Sequence, residues 1–127
     1  MKNIKDLVYE ALAEKFGNVT DSYPSDWAKL PAVQITEEEN KEYEHTTKED
    51  KSYVRYRVDI WDTKSTSESA VLVNKALGSN IGEDGIQEGI GLIRTGCSDN
   101  NEPTMKHKVM RFEGIIDMES DAVYWTE

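Results

Sequence analysis

The segment Ser52 to Trp61, Ser-Tyr-Val-Arg-Tyr-Arg-Val-Asp-Ile-Trp, constrains the fold more than any other stretch of the chain. Val54, Tyr56, Val58 and Ile60 alternate with Tyr53, Arg55, Arg57, Asp59 and Trp61. A period of two sends the two sets to opposite faces of a sheet. The first set is plain core. The second carries two arginines, an aspartate and two large aromatics. Such a face either packs beneath a helix or meets another subunit. Nothing catalytic accompanies it, so the search for function turns to assembly.

A second long alternation runs from Met105 to Met118. Met110, Phe112, Gly114, Ile116 and Met118 share one face, and Val109, Arg111, Glu113, Ile115 and Asp117 share the other. Gly114 is read as a bulge. Leu92 to Cys97 is a third strand, Ser98 to Pro103 a polar turn, and Ala122 to Trp125 a last strand after a turn at Glu119 to Asp121. Upstream, Ala32 to Thr36 is a short strand with Val33 and Ile35 on one side.

Helical spacing occurs twice. In residues 3 to 16, Ile4, Leu7, Val8, Ala11 and Leu12 line one face and Phe16 extends it, with Asn3 as cap and Gly17 as stop. From Ser65 to Leu77, Ser65 and Glu68 have the spacing of a capping box, Ala70, Val73 and Leu77 fall on one face, and Gly78 ends the helix. This second helix is expected to support the sheet. Between the first helix and the first strand, Pro24 and Pro31 bracket one loose helical turn with Trp27 and Leu30 turned inward. Glycines at 82, 85, 89 and 91 mark turns or a loose loop. The order is helix, strand, strand, helix, strand, strand, strand. It predicts a single α+β domain over residues 1–127: a mostly antiparallel sheet with an N-terminal helix and a second helix packed on it.

Residues 37–51 stand apart. They hold seven acids, three lysines and only Tyr43 as an apolar anchor. Alone, such a segment buries too little to order itself. It is read as an extended acidic arm: the far half of one strand, a turn near Thr47 to Asp50, then entry into the next strand at Ser52. A solvated charge run that guards a sheet edge from aggregation and an ordered assembly contact are equally good readings of it.

Charge narrows the partners. The 127-residue chain carries 15 basic and 25 acidic residues, a net charge of −10, and only 37% hydrophobic residues. That balance excludes attraction to nucleic acid or to anionic membrane. It is compatible with a protein that surrounds DNA without gripping it. Cys97 is the one cysteine, so no internal disulfide can form and a reducing compartment is expected. The opening Met-Lys-Asn-Ile-Lys-Asp lacks the apolar run of a signal peptide, and no stretch approaches the length of a membrane span, which points to a protein made in a cytoplasm.

The catalytic alternatives lack their residues. His45 and His107 have no second histidine or cysteine at ligand spacing, so no metal is expected and each reads as a surface imidazole. There is no Gly-x-Ser-x-Gly elbow. Cys97, with glycine before it, reads as a buried or half-buried thiol rather than a nucleophile. The glycine-rich stretch follows a helix, lacks Gly-Lys-Ser/Thr and carries Glu83, Asp84 and Glu88, which would repel phosphate. Asp99-Asn100-Asn101-Glu102 breaks calcium-loop spacing at Pro103. No catalytic residue and no cofactor is expected.

Tyr53 to Ser67 (Tyr-Val-Arg-Tyr-Arg-Val-Asp-Ile-Trp-Asp-Thr-Lys-Ser-Thr-Ser) and Lys106 to Asp117 (Lys-His-Lys-Val-Met-Arg-Phe-Glu-Gly-Ile-Ile-Asp) resemble small tail-completion proteins of phages and prophages of Gram-positive bacteria. The closing Val123-Tyr124-Trp125 and the Leu30-Pro31-Ala32-Val33 entry into the first strand fit the same family, so the resemblance covers most of the chain in block order. The resemblance, to tail terminators or tail-to-head joining proteins, implies a hexameric ring. The ring caps the tail tube, stops its polymerisation and offers a surface to the head connector, or to a sheath terminal ring. Its place is the head-proximal end of an assembled particle, with DNA passing through unbound. The family carries no active site to transfer. Residues assigned to subunit or tube contacts are Glu38, Glu39, Tyr43, His45 and Lys51 in the arm, with Tyr53, Arg55, Arg57 and Trp61 on the second sheet face. Three other readings remain: a head–tail connector, which would be richer in helix; a small acidic inhibitor that mimics DNA, which would display carboxylates along one face; and, least favoured, a hydrolase working through a carboxylate pair that nothing in the sequence selects.

Overall fold

The computed structural model describes residues 4–42, 51–78, 80–81, 85, 87–117 and 122–124. In chain order the elements are α1 (Ile4–Ala13), β1 (Val19–Thr20), β2 (Ala32–Glu42), β3 (Lys51–Asp62), α2 (Ser67–Leu77), β4 (Asn80–Ile81), β5 (Gln87–Glu88), β6 (Ile93–Asp99), β7 (Lys106–Asp117) and β8 (Ala122–Tyr124). The two segments of strongest alternation, β3 and β7, pair with each other antiparallel over their whole length, from Lys51 opposite Asp117 to Asp62 opposite Lys106. They are the centre of a sheet ordered β1-β2-β3-β7-β6. β8 pairs with Ile115–Asp117 on the edge of β7 that β6 uses lower down. All these pairings are antiparallel except the short parallel contact of β1 with Val33 and Gln34 of β2. The fold is α+β, as its pattern predicts.

Both helices lie on one face of the sheet. Val8, Leu12 and Phe16 from α1 and its following turn, with Val73, Ala76 and Leu77 from α2, join Val33, Ile35, Val54, Tyr56, Val58, Ile60, Met110 and Phe112 in one buried cluster. Each strand contributes every second residue, as the pleat demands. Ala32, Trp61, Val109 and Ile115 are also buried but lie outside that cluster, on the opposite face.

Local signals account for most boundaries and fail at several. α1 stops at Ala13 rather than reaching Phe16; residues 14–16 form a turn, with the Lys15 and Phe16 N–H groups both bonding the Leu12 carbonyl. Its expected cap, Asn3, lies outside the described residues. Where one loose helical turn is expected, residues 25–26 are irregular, 27–28 form a turn and 29–30 a bend, with no helix assigned. Ser65 does not cap α2. The helix begins at Ser67 after a Thr66 that makes no capping side-chain bond, and Ser65 Oγ instead accepts from the Ser67 N–H at 3.3 Å. Gly78 ends α2, its N–H bonding the Asn74 carbonyl. The glycine stretch then folds back: Ile90, Gly91 and Leu92 donate to the Ala76, Gly78 and Leu77 carbonyls, satisfying acceptors that a helix end leaves open. Gly89, at φ +89°, makes this possible, since a Cβ there would lie 2.7 Å from the Lys75 carbonyl oxygen and collide with that of Gly78. Part of the same stretch pairs as the two-residue strands β4 and β5 rather than forming loop alone.

Gly114 sits opposite Val54 in regular register and marks no bulge. The register shifts lie between Glu37 and Glu39 in β2 and between Arg94 and Gly96 in β6. β2 runs on past Thr36 to Glu42, so the first six residues of the acidic segment are hydrogen-bonded strand, and Lys51 is the first residue of β3. The turn expected at Thr47 to Asp50 and the one at Glu119 to Asp121 lie outside the described residues.

Candidate functional site: the second face of the sheet

The face bearing Tyr53, Arg55, Arg57, Asp59 and Trp61 carries no helix among the described residues. The pairing register sets Ile115, Glu113, Arg111, Val109 and His107 of β7 beside them in turn. Arg57 and Arg111, like charges, are direct cross-strand neighbours, an arrangement that needs carboxylates close by. Those carboxylates are present. Arg57 Nε and Nη2 donate to Asp59 Oδ1 and Oδ2 at 2.8 and 2.9 Å, a two-pronged bond. Asp59 Oδ2 also lies 2.7 Å from His107 Nε2. Arg111 Nε donates to Glu38 Oε1 at 3.0 Å, and Arg55 Nε approaches the same oxygen at 3.5 Å. That Arg55 nitrogen is buried, and its contact with Glu38 is an ion pair without hydrogen-bond geometry. The Tyr53 hydroxyl donates to Glu113, and Lys41 pairs with Glu39 at 3.5 Å.

The β2 bulge places Glu38. Glu37 lies opposite Tyr56 and Glu39 opposite Arg55, which leaves Glu38 as an extra residue. An extra residue breaks strict alternation and re-aims its neighbours. Here Glu37 turns to the helix-bearing side, where the Tyr56 hydroxyl donates to it at 2.9 Å, and Glu38 reaches across β3 to the arginines. Burial, reinforced by the hydrogen bond and charge of Glu37, pushes the Tyr56 hydroxyl pKa far above its ordinary value. Tyr53 is raised chiefly by its bond to Glu113, and Arg57 by its bond to Asp59. Each shift strengthens the proton's hold on a donor already bonded to a carboxylate.

The other end of the face is aromatic. The His107 ring stacks on Trp61 with centroids 4.4 Å apart and planes 14° apart, and Trp61 meets Trp27 and Tyr23 edge-on at 5.7 and 5.6 Å. Residues 21–31 thus fold over the sheet's end and bury Trp61, while Tyr23 stays 68% exposed. His107, read from sequence as a surface imidazole, is corrected: its side chain is only 14% exposed, held between Asp59 and Trp61. Cys97 is corrected in the other direction. It is exposed, because β6 is an edge strand whose side chains are uncovered along its length.

Of the residues assigned to contacts, Glu38, Glu39, Tyr53, Arg55, Arg57 and Trp61 all lie on this one face. Lys51 begins β3 at its edge, and Tyr43 and His45 lie outside the described residues. Arg111, Glu113, Asp59 and His107 complete the set. Their alternation was legible, but the pairing of β3 with β7 that joins them to the arginines was not. Two open grooves, about 430 and 680 Å³, flank the helices. Among the described residues no cluster of three or more histidine, cysteine, aspartate or glutamate side chains could hold a metal, and no helix is long and apolar enough to cross a membrane. No protein-family model matches this chain, and no curated protein matches it.

Proposed function

We propose that copies of this chain close into a hexameric ring that caps the tube of a phage or phage-like tail, halts its polymerisation and joins it to a head connector where a head exists. Recognition, not catalysis, is the activity. The observation that carries the reading is the helix-free sheet face. Its arginines, carboxylates and aromatics are already bonded in ordered clusters, Arg57 with Asp59, His107 and Trp61, Arg55 and Arg111 with Glu38, and Tyr53 with Glu113. Such residue types dominate protein contacts at little further ordering cost. The net charge of −10 suits a lumen that lets DNA slide past. The resemblance of the two long strand blocks to tail-completion proteins supplies the particular machine.

Two features favour this reading over its rivals. Three carboxylates of the face, Glu38, Asp59 and Glu113, are bonded inside the chain and Glu39 is paired with Lys41, whereas a DNA mimic has to display them. Among the described residues the helices are short, 10 and 11 residues, whereas a connector would be richer in helix. The test is electron microscopy of purified particles carrying a labelled chain, with light scattering of the chain alone and mixed with tube protein. A ring at the head-proximal end of the tube is expected. Label at the fibre-bearing tip, or no association with the tube, overturns the proposal.

A further inference from the structure

The sheet has two long unpaired edges among the described residues. On one side β1 takes only Val33 and Gln34, so residues 35–42 of β2 keep an open edge. On the other, β6 pairs with β7 through one edge and its second edge is open over Ile93–Asp99. Every side chain of β6 is at least partly exposed, so no helix shields the strand from either face. Open rows of backbone N–H and C=O groups are templates for another strand.

Strand direction and charge decide which strand. β2 is antiparallel to β3, β3 to β7, and β7 to β6, so β2 and β6 run in opposite directions. In a ring of identically oriented copies, β6 of one copy therefore meets β2 of the next antiparallel. The alternation continues unbroken, and the helices stay on one side throughout. The two open stretches are also matched in length. Residues 37–42 hold four glutamates and one lysine, so pairing β2 with β2 would set carboxylate against carboxylate. β6 carries Arg94 and Asp99, with Lys108 bonded to Asp99 at 2.9 Å, and offers no such repulsion. The favoured contact joins two different surfaces, the kind that closes rings.

We propose that β6 of one copy adds to the open edge of β2 in the next copy, so that one antiparallel sheet runs through every subunit junction. The inference rests on the ring reading and names its joint. Hydrogen–deuterium exchange on the full chain tests it, from dilute monomer to assembled ring, with purified tube as the template where assembly requires one. The amides of β6 and residues 35–42 slow together on assembly, by roughly a hundredfold or more. A ring whose two edges exchange as in the monomer overturns the joint and leaves the ring standing; a chain that forms no oligomer alone or on the tube overturns both.

Thr95 gives an independent handle. It is the exposed bulge residue, with no register partner on β7, so Thr95→Glu adds a carboxylate that would face the glutamates of β2 across the joint without replacing a paired residue of β6. The variant is expected to fold as wild type by circular dichroism and to assemble at least about tenfold more weakly. Wild-type assembly by this variant overturns the proposal. So do Cys97–Cys97 cross-links as the main product of mild oxidation, which would report β6 pairing with itself in a two-fold dimer.

Discussion

Asp59→Asn probes the centre of the charged network. The Asp59 side chain is 5% exposed and takes two hydrogen bonds from Arg57, with His107 Nε2 at 2.7 Å. Asparagine has nearly the same shape but no charge and one acceptor oxygen, so Arg57 keeps at most one prong. Bonds to charged groups contribute about 1.5–3 kcal/mol each, and the lost prong, with the weakened survivors, removes about 3–4 kcal/mol in gross terms. The Arg57 side chain is 34% exposed, so water recovers part of its share. The net loss is about 2–3 kcal/mol, well below that of a fully buried pair. For a 127-residue domain this is a fall in Tm of about 6–12 °C. Urea denaturation followed by circular dichroism measures it as a shift in midpoint at unchanged slope. The double variant Arg57→Met with Asp59→Leu should be less destabilised than the sum of its parts, because neither charge is left alone. A stability within about 0.5 kcal/mol of wild type for Asp59→Asn would refute the argument that this carboxylate organises the face.

Other expectations are as direct. Gly89→Ala forces a left-handed backbone and a Cβ against the Lys75 and Gly78 carbonyls, costing about 2–4 kcal/mol; the amides of Ile90, Gly91 and Leu92 should lose exchange protection ahead of global unfolding. Trp27→Ala uncovers Trp61, so a red-shifted tryptophan emission should accompany a loss of about 2 kcal/mol. Alkaline titration has a definite sign: Tyr56, Tyr53 and Lys108 (the last through its bond to Asp99) all hold their protons more tightly when folded. Their stabilisation is full below the unfolded values of about pH 10 and is lost as pH rises through the higher folded ones. Urea midpoints should therefore fall above about pH 10, and Tyr56→Phe should flatten that fall after costing about 1 kcal/mol at neutrality. An unchanged alkaline limb in Tyr56→Phe would count against its burial beside Glu37.

Periodicity by itself determined which residues form β3 and β7, how their side chains divide between two faces, and that two amphipathic helices accompany the sheet. These are local properties: alternation and helical spacing follow from backbone geometry and need no partner to be read. Tertiary structure alone decided that Arg57 stands beside Arg111, that Glu38 reaches two arginines, and that His107 lies between Asp59 and Trp61. Each depends on pairing register or on a bulge. Register is set by the summed burial of whole strands and is shifted by one unpaired residue, so no single segment encodes it. The same reason separates Cys97 from its expected burial. A strand's composition suits it to a sheet, but only the completed strand order says whether it ends up at the centre or at an open edge.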